Sequence, residues 1–520
     1  MTHIEEIKIV LDLISTLSGI EISYLAKFLE SKHLTGESLI VKLFGIIKKY
    51  PAKDSHFYKK KLYGTEASGG YANQVAKLKQ AIIEYIVIVR QKTVAKTKIN
   101  PLADTSSEGR LQNMIAYARF CFEQGENELG FEVLKQGAKL ARNHHQYELL
   151  CRILEIDLQY LDKSDAKKIE QLLNEFEEAH HIANLDKKAS FALALASRLI
   201  LLSRGPEKRQ SRRKVNQIMR ELSNDKLYLK VPSIFYKYMA IQVTKAKGKK
   251  KYLKLEVLLS RQYQEIEFEF DQSSRYEHLE ILYMLARVSF YNKKFSQSNQ
   301  YLEDMYACLE SEALIHKRKF IPRYRIQKAQ NLCYLGQLDA AIDLIVDLER
   351  DKGLKLDPIE KFNSRFNKCF YYMLKGQLKG IKPFVTNACD VNIRTGGELN
   401  EEWMLKWILG ELIYHYEKAE REGDFESVLR QLRNAKERFR RLLTTSRHKR
   451  AMKFMTIMKK MIDDPEWVQT RAFQIHIRRR FRFRPIEEEN ILVIPFYTWL
   501  ISKATKENYY EVLTKVFKES

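Results

Sequence analysis

A short turn between two amphipathic helical segments constrains this chain more than any other feature of its sequence. In residues 328–348, KAQNLCYLGQLDAAIDLIVDL, apolar residues recur at helical spacing, Gly336 interrupts them, and the same spacing then resumes. Two amphipathic helices joined by so short a turn must fold back antiparallel. The small side chains of Ala329 and Ala341 suit the line along which the two helices touch.

The same hairpin pattern recurs along most of the chain. Clear copies have their turns at Gly125, Lys293, Gly376 and Gly423, and weaker ones at Lys163-Ser164-Asp165, Gly205-Pro206 and Gly248. With Gly336 included, successive turns lie 38 to 47 residues apart, a period of about 43 that is typical of two-helix repeats. Only 20 Gly and 10 Pro occur in 520 residues, which also favours long helices over many short strands.

The 328–348 hairpin resembles the tetratricopeptide unit in its small residue, its turn glycine, an apolar residue two positions later and a small residue three after that. The resemblance implies an all-α fold, with an α-solenoid of about eight tetratricopeptide-like helical hairpins over residues 109–462. An N-terminal helical module, residues 1–97, and a helical C-terminal cap, residues 463–520, flank these repeats. The polar stretch 98–108 is the predicted linker, and an irregular helical bundle is the alternative fold.

Two segments outside the repeats carry a second resemblance. KLFGIIKKYP followed by KLYG, within residues 42–64, and the C-terminal IPFYTWLISKATKENYYEVL are similar to uncharacterised Bacteroidota proteins with tetratricopeptide-like repeats. That family has no activity to carry over, so this resemblance implies an architecture and nothing about chemistry.

The net charge of +24 is concentrated in two segments of the chain. Residues 204–254 contain 16 Lys and Arg against 3 Asp and Glu, and residues 427–484 contain 18 against 4. The rest of the chain has a net charge of −3, so these two basic windows carry the whole excess. Such a distribution asks for a local explanation, which is either a solvated basic face or an anionic partner.

The candidate contacts for an anionic partner are the basic residues expected to be exposed in these windows. RGPEKRQSRRK and KAKGKKKYLK occupy equivalent places in successive predicted repeats, so we expect them to merge into one basic edge. In the second window the basic residues lie largely off the apolar stripe of the helix after Gly423. The candidates are Arg209, Arg212, Arg213, Lys249, Lys250, Lys251, Arg430, Arg433, Arg440, Arg441, Arg478, Arg479 and Arg480.

Residues 473–485, FQIHIRRRFRFRP, admit three interpretations: a β-strand, an arginine-rich nucleic-acid arm, or a helix. Their alternation favours a β-strand, and the arginines are typical of a nucleic-acid-binding arm. However, Asp464-Pro465-Glu466 is a good helix start, and Pro485 is a natural stop. We therefore predict a helix with two apolar sides, packed between neighbours at the end of the solenoid.

The sequence offers no motif for catalysis, a cofactor or a metal: HExxH, P-loop and GxSxG patterns are all missing. The adjacent pairs His144-His145 and His180-His181 are expected at hairpin ends, and neighbours on a helix point about 100° apart, which disfavours chelation of one metal. The six scattered cysteines suggest buried free thiols in a reducing cytoplasm. With no long uncharged apolar run, we expect a cytoplasmic protein without a membrane span.

These observations favour a protein that is not an enzyme and that binds or scaffolds another protein through its helical-repeat surface. The alternative is binding of RNA or DNA through the windows 204–254 and 427–484, where Lys and Arg would contact phosphates without reading sequence. No RNA-recognition, KH or homeodomain signature supports that alternative.

Overall fold

The computed structural model describes residues 7, 10–11, 13–14, 19–32, 38–51, 53–64, 70–94, 107–162, 165–201, 205–247, 252–270, 274–310, 314–351, 353–354, 356–378, 401–443, 449–481, 489, 491 and 493–518. Throughout these ranges the regular secondary structure is helical, which confirms the predicted all-α class. The chain divides into two compact units, residues 1–188 and 189–520.

The helices are numbered in chain order. The first eight are α1 Gly19–Lys32, α2 Leu39–Lys49, α3 Ser55–Tyr63, α4 Tyr71–Val94, α5 Ser107–Glu123, α6 Asn127–Asn143, α7 Tyr147–Tyr160 and α8 Ala166–Leu201. They are followed by α9 Pro206–Asp225, α10 Pro232–Lys247, α11 Tyr252–Gln264, α12 Arg275–Tyr291, α13 Phe295–Glu310, α14 Leu314–Tyr334, α15 Leu338–Arg350 and α16 Pro358–Leu374. The remainder are α17 Glu401–Glu422, α18 Phe425–Arg438, α19 Arg440–Leu443, α20 Lys449–Asp463, α21 Arg471–Phe481, α22 Ile494–Thr505 and α23 Tyr509–Lys518, with 3-10 turns at Leu227–Leu229 and Glu466–Gln469.

In the first unit, the N-terminal helices share one hydrophobic core with the first predicted repeat. A single cluster of buried side chains extends from Ile7 to Ala183. A largely buried ion pair, Lys79 Nζ to Glu132 Oε1 at 3.1 Å, joins α4 to α6. The two segments on either side of the predicted linker therefore contribute to the same core. The boundaries drawn from the sequence between the three segments stay predictions, and residues 98–106 lie outside the described ranges.

The predicted hairpin turns at four positions are confirmed. Gly125, Lys293, Gly336 and Gly423 each separate two helices, and each has a positive φ, between 61° and 88°. Glycine adopts this left-handed conformation without the steric cost that a Cβ atom imposes, which explains why three of the four turns carry it.

The remaining predicted turns are described only in part. Gly376 follows the end of α16 with a φ of 71°, but the helix expected directly after it lies outside the described residues. The turn near Gly248 and the first two residues of the turn at 163–165 also lie outside the described part of the chain.

One predicted repeat differs from the structure. With turns near 163 and 205, a regular repeat requires one helix to end and the next to begin between them. Instead, the single helix α8 runs without interruption for 36 residues. The expectation that His180-His181 ends a hairpin is therefore wrong, because both residues lie in the middle of α8, whereas His144-His145 does form the turn between α6 and α7. The physical reason is local: residues 166–201 contain neither Gly nor Pro to end a helix. The count of eight hairpins stays a prediction.

In the second unit, consecutive helices pack as expected for a solenoid. The first helices of successive hairpins, α10, α12, α14 and α16, contact one another in order, and α12 and α14 also pack on their own second helices, α13 and α15. A buried hydrogen-bond chain links two hairpins: Asn331 Nδ2 donates to Ser298 Oγ at 2.9 Å, and Ser298 Oγ donates to the Ala286 carbonyl at 2.7 Å.

The C-terminal helices pack back onto hairpins that lie far before them in the sequence. Tyr510 in α23 donates a hydrogen bond at 2.9 Å to the carbonyl oxygen of Cys333 in α14, across a separation of 177 residues. The Phe517 ring lies 5.1 Å from Tyr334 and 5.4 Å from Phe295, between ring centroids. The predicted C-terminal cap is therefore helical where it is described, and its last helix packs on hairpins in the middle of the unit.

Among the described residues, no helix is both long enough and apolar enough to cross a membrane.

Candidate interaction surfaces

Three of the candidate contacts lie on α9, and the structure exposes all three. Val215, Ile218, Met219 and Leu222 form the buried side of this helix. Arg209, Arg212 and Arg213 lie away from that side and are exposed. The helix begins at Pro206, whose fixed φ and missing N–H suit a first helical position. The sequence therefore determines which side of α9 is turned to solvent.

The arginines of α9 form a stripe along its exposed side. At 3.6 residues per turn, Arg209, Arg213 and Arg220 fall within about 40° of one another around the helix axis. All three are exposed, and in the part of the chain that the structure describes no carboxylate lies within ion-pair distance of any of them. Arg220 was missed by the sequence argument, although its spacing from Arg213 already places it in the same stripe. We call Arg209, Arg213 and Arg220 the arginine stripe.

An exposed aromatic side chain contacts a different side of α9. Phe191 of α8 has 47% of its surface exposed, and Lys214 Nζ lies 5.1 Å from the centroid of its ring. Lys214 directly follows Arg213 in α9, so it lies about 100° around the helix axis from Arg213, on the side that also carries Glu221. The predicted continuation of the basic edge through Lys249, Lys250 and Lys251 lies outside the described residues.

In the second basic window, exposed carboxylates accompany the exposed arginines. Arg430 and Arg433 are exposed on α18, but Glu426 and Glu437 are exposed on the same helix, each one turn away from one of these arginines. The carboxylates reduce the local positive field. Arg440, Arg478 and Arg479 are also exposed, whereas the side chains of Arg441 and Arg480 lie outside the described set.

The stretch at 473–485 is helical where it is described, which confirms that prediction for residues 473–481. The helix does not start at Asp464 as predicted. Asp464 accepts a hydrogen bond from the Trp467 N–H and begins a 3-10 turn. Thr470 Oγ1 then caps α21 by accepting a hydrogen bond from the Phe473 N–H at 3.2 Å. The prediction of two buried sides is wrong for the described residues. Phe473 is fully buried, but Ile475 is 42% exposed, so one side of α21 is solvated.

A second candidate surface was not found from the sequence. It consists of side chains from α12, α14 and α16, which are the first helices of three successive hairpins. Its members are Tyr276, Glu280, Tyr283, Lys319, Arg323 and Glu360, and we call them the first-helix surface. Glu280 stands as far before the turn at Lys293 as Arg323 does before the turn at Gly336, so the two occupy equivalent repeat positions. Oppositely charged residues at one repeat position, Glu280 and Arg323, were the signal that could have revealed this surface.

Ion pairs hold the first-helix surface together across three helices. Glu280 Oε1 lies 3.0 Å from Lys319 Nζ and 3.0 Å from Arg323 Nη1. Arg323 Nε lies 3.5 Å from Glu360 Oε1. Burial raises the pKa of the Glu360 carboxyl. The hydrogen bond from the Asp357 backbone N–H and the nearby Arg323 charge lower this pKa, but burial outweighs them. The carboxylates are mostly buried, whereas the Lys319 side chain remains 37% exposed.

Aromatic rings lie under these cations. Lys319 Nζ is 4.2 Å from the centroid of the Tyr276 ring, and the Arg323 guanidinium is 5.6 Å from that of Tyr283. Each contact is a cation–π interaction, which keeps the cation positioned while one side of it still faces solvent. The surface therefore presents ordered Tyr, Lys and Arg side chains from consecutive hairpins.

A cavity of about 330 Å³ lies between the end of α16, α17 and the C-terminal helices α22 and α23. Lys503 lines it and pairs with Glu417 Oε1 at 2.7 Å and with Glu420 Oε2 at 2.6 Å. Because two carboxylates already neutralise this lysine, it offers an incoming anion no unpaired charge. Across the described residues, no group of three or more His, Cys, Asp and Glu side chains is placed to hold a metal ion.

Comparison with known proteins found no match: no protein family, no curated protein and no solved structure is similar to this chain. The helical hairpins agree with a helical-repeat protein. The specific resemblances to tetratricopeptide units and to Bacteroidota proteins remain expectations from the sequence.

Proposed function

We propose that this protein is a non-enzymatic binding or scaffold protein, and that the first-helix surface contacts a partner protein. The observation that carries the proposal is the first-helix surface itself, where partly exposed Tyr, Lys and Arg side chains from consecutive hairpins are ordered side by side. Tyrosine and arginine are among the residues that contribute most binding energy at protein interfaces. A row supplied by successive repeats can follow an extended segment of a partner along the stack.

Preorganisation supports this proposal. The cation–π contacts and the ion pairs to Glu280 already restrict Lys319 and Arg323. Restricted side chains lose less conformational entropy on binding than free ones do, so a larger share of each contact appears as affinity.

The test compares two lysines of α14 that have matched surroundings. Lys319 pairs with Glu280 and lies over Tyr276, and it belongs to the first-helix surface. Lys328 pairs with Glu303 at 2.7 Å and lies 5.1 Å from the centroid of the Tyr324 ring, and it lies outside that surface. A Lys→Glu substitution therefore removes the same kinds of contact in both places and brings the same like-charge repulsion.

Wild-type protein, Lys319→Glu and Lys328→Glu are used as affinity baits in a nuclease-treated lysate of the source organism, and recovered proteins are quantified by mass spectrometry. We expect at least one protein to be recovered with wild type and Lys328→Glu, and to fall about tenfold or more with Lys319→Glu. The purified partner should show the same ranking in titration calorimetry. Equal recovery by both variants, or equal loss, would contradict the proposed surface.

A further inference from the structure

We propose that Arg287, which borders the first-helix surface, binds a carboxylate side chain of the partner protein. This inference rests on the function proposed above and adds the chemistry that the partner segment must carry. Three observations support it: the place of Arg287 beside that surface, its missing counter-charge, and the tyrosine rings that position it.

Arg287 borders the first-helix surface through a shared tyrosine ring. Its guanidinium carbon lies 5.7 Å from the centroid of the Tyr283 ring, and that of Arg323 lies 5.6 Å from the same centroid. Arg287 stands one helical turn after Tyr283 on α12, whereas Arg323 comes from α14 in the next hairpin. Arg287 is half-buried, so part of it still meets solvent. A partner segment that contacts Tyr283 and Arg323 therefore has Arg287 within reach.

The charge of Arg287 has no counter-charge among the described residues. The two cations of the first-helix surface are balanced by its two carboxylates, with Arg323 lying 3.0 Å from Glu280 Oε1 and 3.5 Å from Glu360 Oε1. In the described part of the chain no carboxylate lies within ion-pair distance of Arg287, whose Nη2 donates a hydrogen bond to the neutral Tyr291 hydroxyl at 3.1 Å. A guanidinium stays charged in proteins, and a partly buried charge is more stable when an opposite charge neutralises it.

Two tyrosine rings of its own helix hold Arg287 in place. Its guanidinium carbon lies 5.7 Å from the centroid of the Tyr283 ring and 5.8 Å from that of Tyr291, one helical turn before it and one turn after it. These cation–π contacts restrict the side chain but supply no negative charge. A guanidinium positioned in this way binds a carboxylate through two parallel, charge-assisted hydrogen bonds.

A single uncompensated cation favours a carboxylate over a phosphate. A phosphorylated side chain carries about −1.5 to −2 charges at pH 7 and would need a second such cation. A nucleic-acid strand would need a row of them. The next hairpin supplies none at the equivalent place: Gln330 stands as far before Gly336 as Arg287 does before Lys293, and Gln330 is neutral. The single charge of an Asp or Glu side chain matches that of Arg287.

Pools of labelled, amidated peptides of about twelve residues test this inference. Each pool has one central residue fixed as Asp, Glu, Asn, Gln, Lys or phosphoserine, and the other positions are degenerate without Asp and Glu. The central residue is then the one possible carboxylate. Retention on immobilised protein is measured by fluorescence. We expect wild type to retain the Asp and Glu pools about tenfold more strongly than the Asn and Gln pools, because a hydrogen bond between charged groups contributes more than one between neutral groups.

Variants of Arg287 show whether this residue reads the carboxylate. Arg287→Gln should still retain the pools but lose the preference for Asp and Glu, because the rest of the first-helix surface is unchanged. Arg287→Lys keeps the charge without the planar fork and should keep part of the preference. The control is Arg318→Gln, which removes the same charge from an exposed position of α14 and should leave the preference unchanged. Circular dichroism melts check that each variant folds like the wild type.

The variant Lys319→Glu separates this inference from the function on which it rests. If wild type retains no pool, or if Lys319→Glu retains every pool as well as wild type does, the function proposed for the first-helix surface is contradicted. Other results overturn the role of Arg287 alone while Lys319→Glu still loses the pools. These are no preference for Asp and Glu in wild type, an unchanged preference in Arg287→Gln, an equal loss in Arg318→Gln, or strongest retention of the phosphoserine pool.

Discussion

Replacing Glu411 by Gln should stabilise the protein in a pH-dependent way. Glu411 lies on α17, and its Oε1 accepts a hydrogen bond from Trp407 Nε1 at 2.6 Å. Burial raises the pKa of this carboxyl to about 7, despite the lowering effects of the Trp407 hydrogen bond and of the Arg438 charge. The folded state therefore holds the Glu411 proton more tightly than the unfolded chain does.

The sign and size of the effect follow from this difference. Because the folded pKa is the higher one, the stabilisation from Glu411 is complete below an unfolded pKa of about 4.5 and is lost as the pH rises to about 7. At about 1.4 kcal/mol per pKa unit, the loss in unfolding free energy is roughly 3 kcal/mol. Glutamine has no charge to desolvate and keeps a carbonyl oxygen for Trp407. At pH 8 Glu411→Gln should thus be more stable than wild type by up to about 3 kcal/mol, and at pH 4.5 nearly equal to it.

Urea denaturation followed by circular dichroism at pH 4.5, 6, 7 and 8 measures this difference. The matched control is Glu422→Gln on the same helix, where the carboxylate is mostly exposed and lies 3.2 Å from Lys418. An exposed pair of this kind is worth about 0.5 kcal/mol or less, so the control should change little at any pH. A gain for Glu411→Gln that is the same at pH 4.5 and pH 8, or no gain at pH 8, would refute the burial argument.

Two further predictions concern glycines, and chemical denaturation checks both. Gly336→Ala should lower the unfolding free energy by about 1–2 kcal/mol, because its φ of 88° is strained for a residue with a Cβ atom. Gly410 lies inside α17 with open space around it, so Gly410→Ala should raise the unfolding free energy by about 0.5–1 kcal/mol. Equal effects of the two substitutions would contradict the conformational explanation. Gly130→Ala should lower the unfolding free energy by about 1–3 kcal/mol, because the added methyl would lie 2.6 Å from the Phe122 ring. That ring is stacked on Tyr160, with 4.1 Å between the ring centroids. A wild-type unfolding free energy for Gly130→Ala would show that the Phe122 ring moves freely.

The features that sequence predicted well are local ones. Apolar spacing and turn residues located the hairpins around Gly125, Lys293, Gly336 and Gly423, because a helix ends where a left-handed residue interrupts its pattern. Periodicity failed where it was applied without a local signal. It implied a break within residues 166–201, where no Gly or Pro supplies one, and α8 is continuous there.

The candidate surfaces were predicted less completely, for a physical reason. Exposure of Arg209 and Arg213 follows from the apolar side of their own helix and could be read from one segment. The first-helix surface depends on contacts such as that of Glu280 with Arg323, which are 43 residues apart in the chain, and these depend on how successive hairpins stack. The Phe191–Lys214 contact likewise joins two helices, so no single helical projection reveals it.

The return of α23 onto the middle hairpins has a consequence for the order of folding. A linear repeat array can fold progressively during synthesis, because each unit needs only its neighbours. Here Phe295 and Tyr334 complete their packing only with Phe517, which is synthesised long after both of them. Until then the aromatic surface of the middle hairpins stays open to solvent and to other chains. The second unit therefore reaches its final core only after synthesis of α23, and a truncated chain that stops before Tyr509 exposes an aggregation-prone patch.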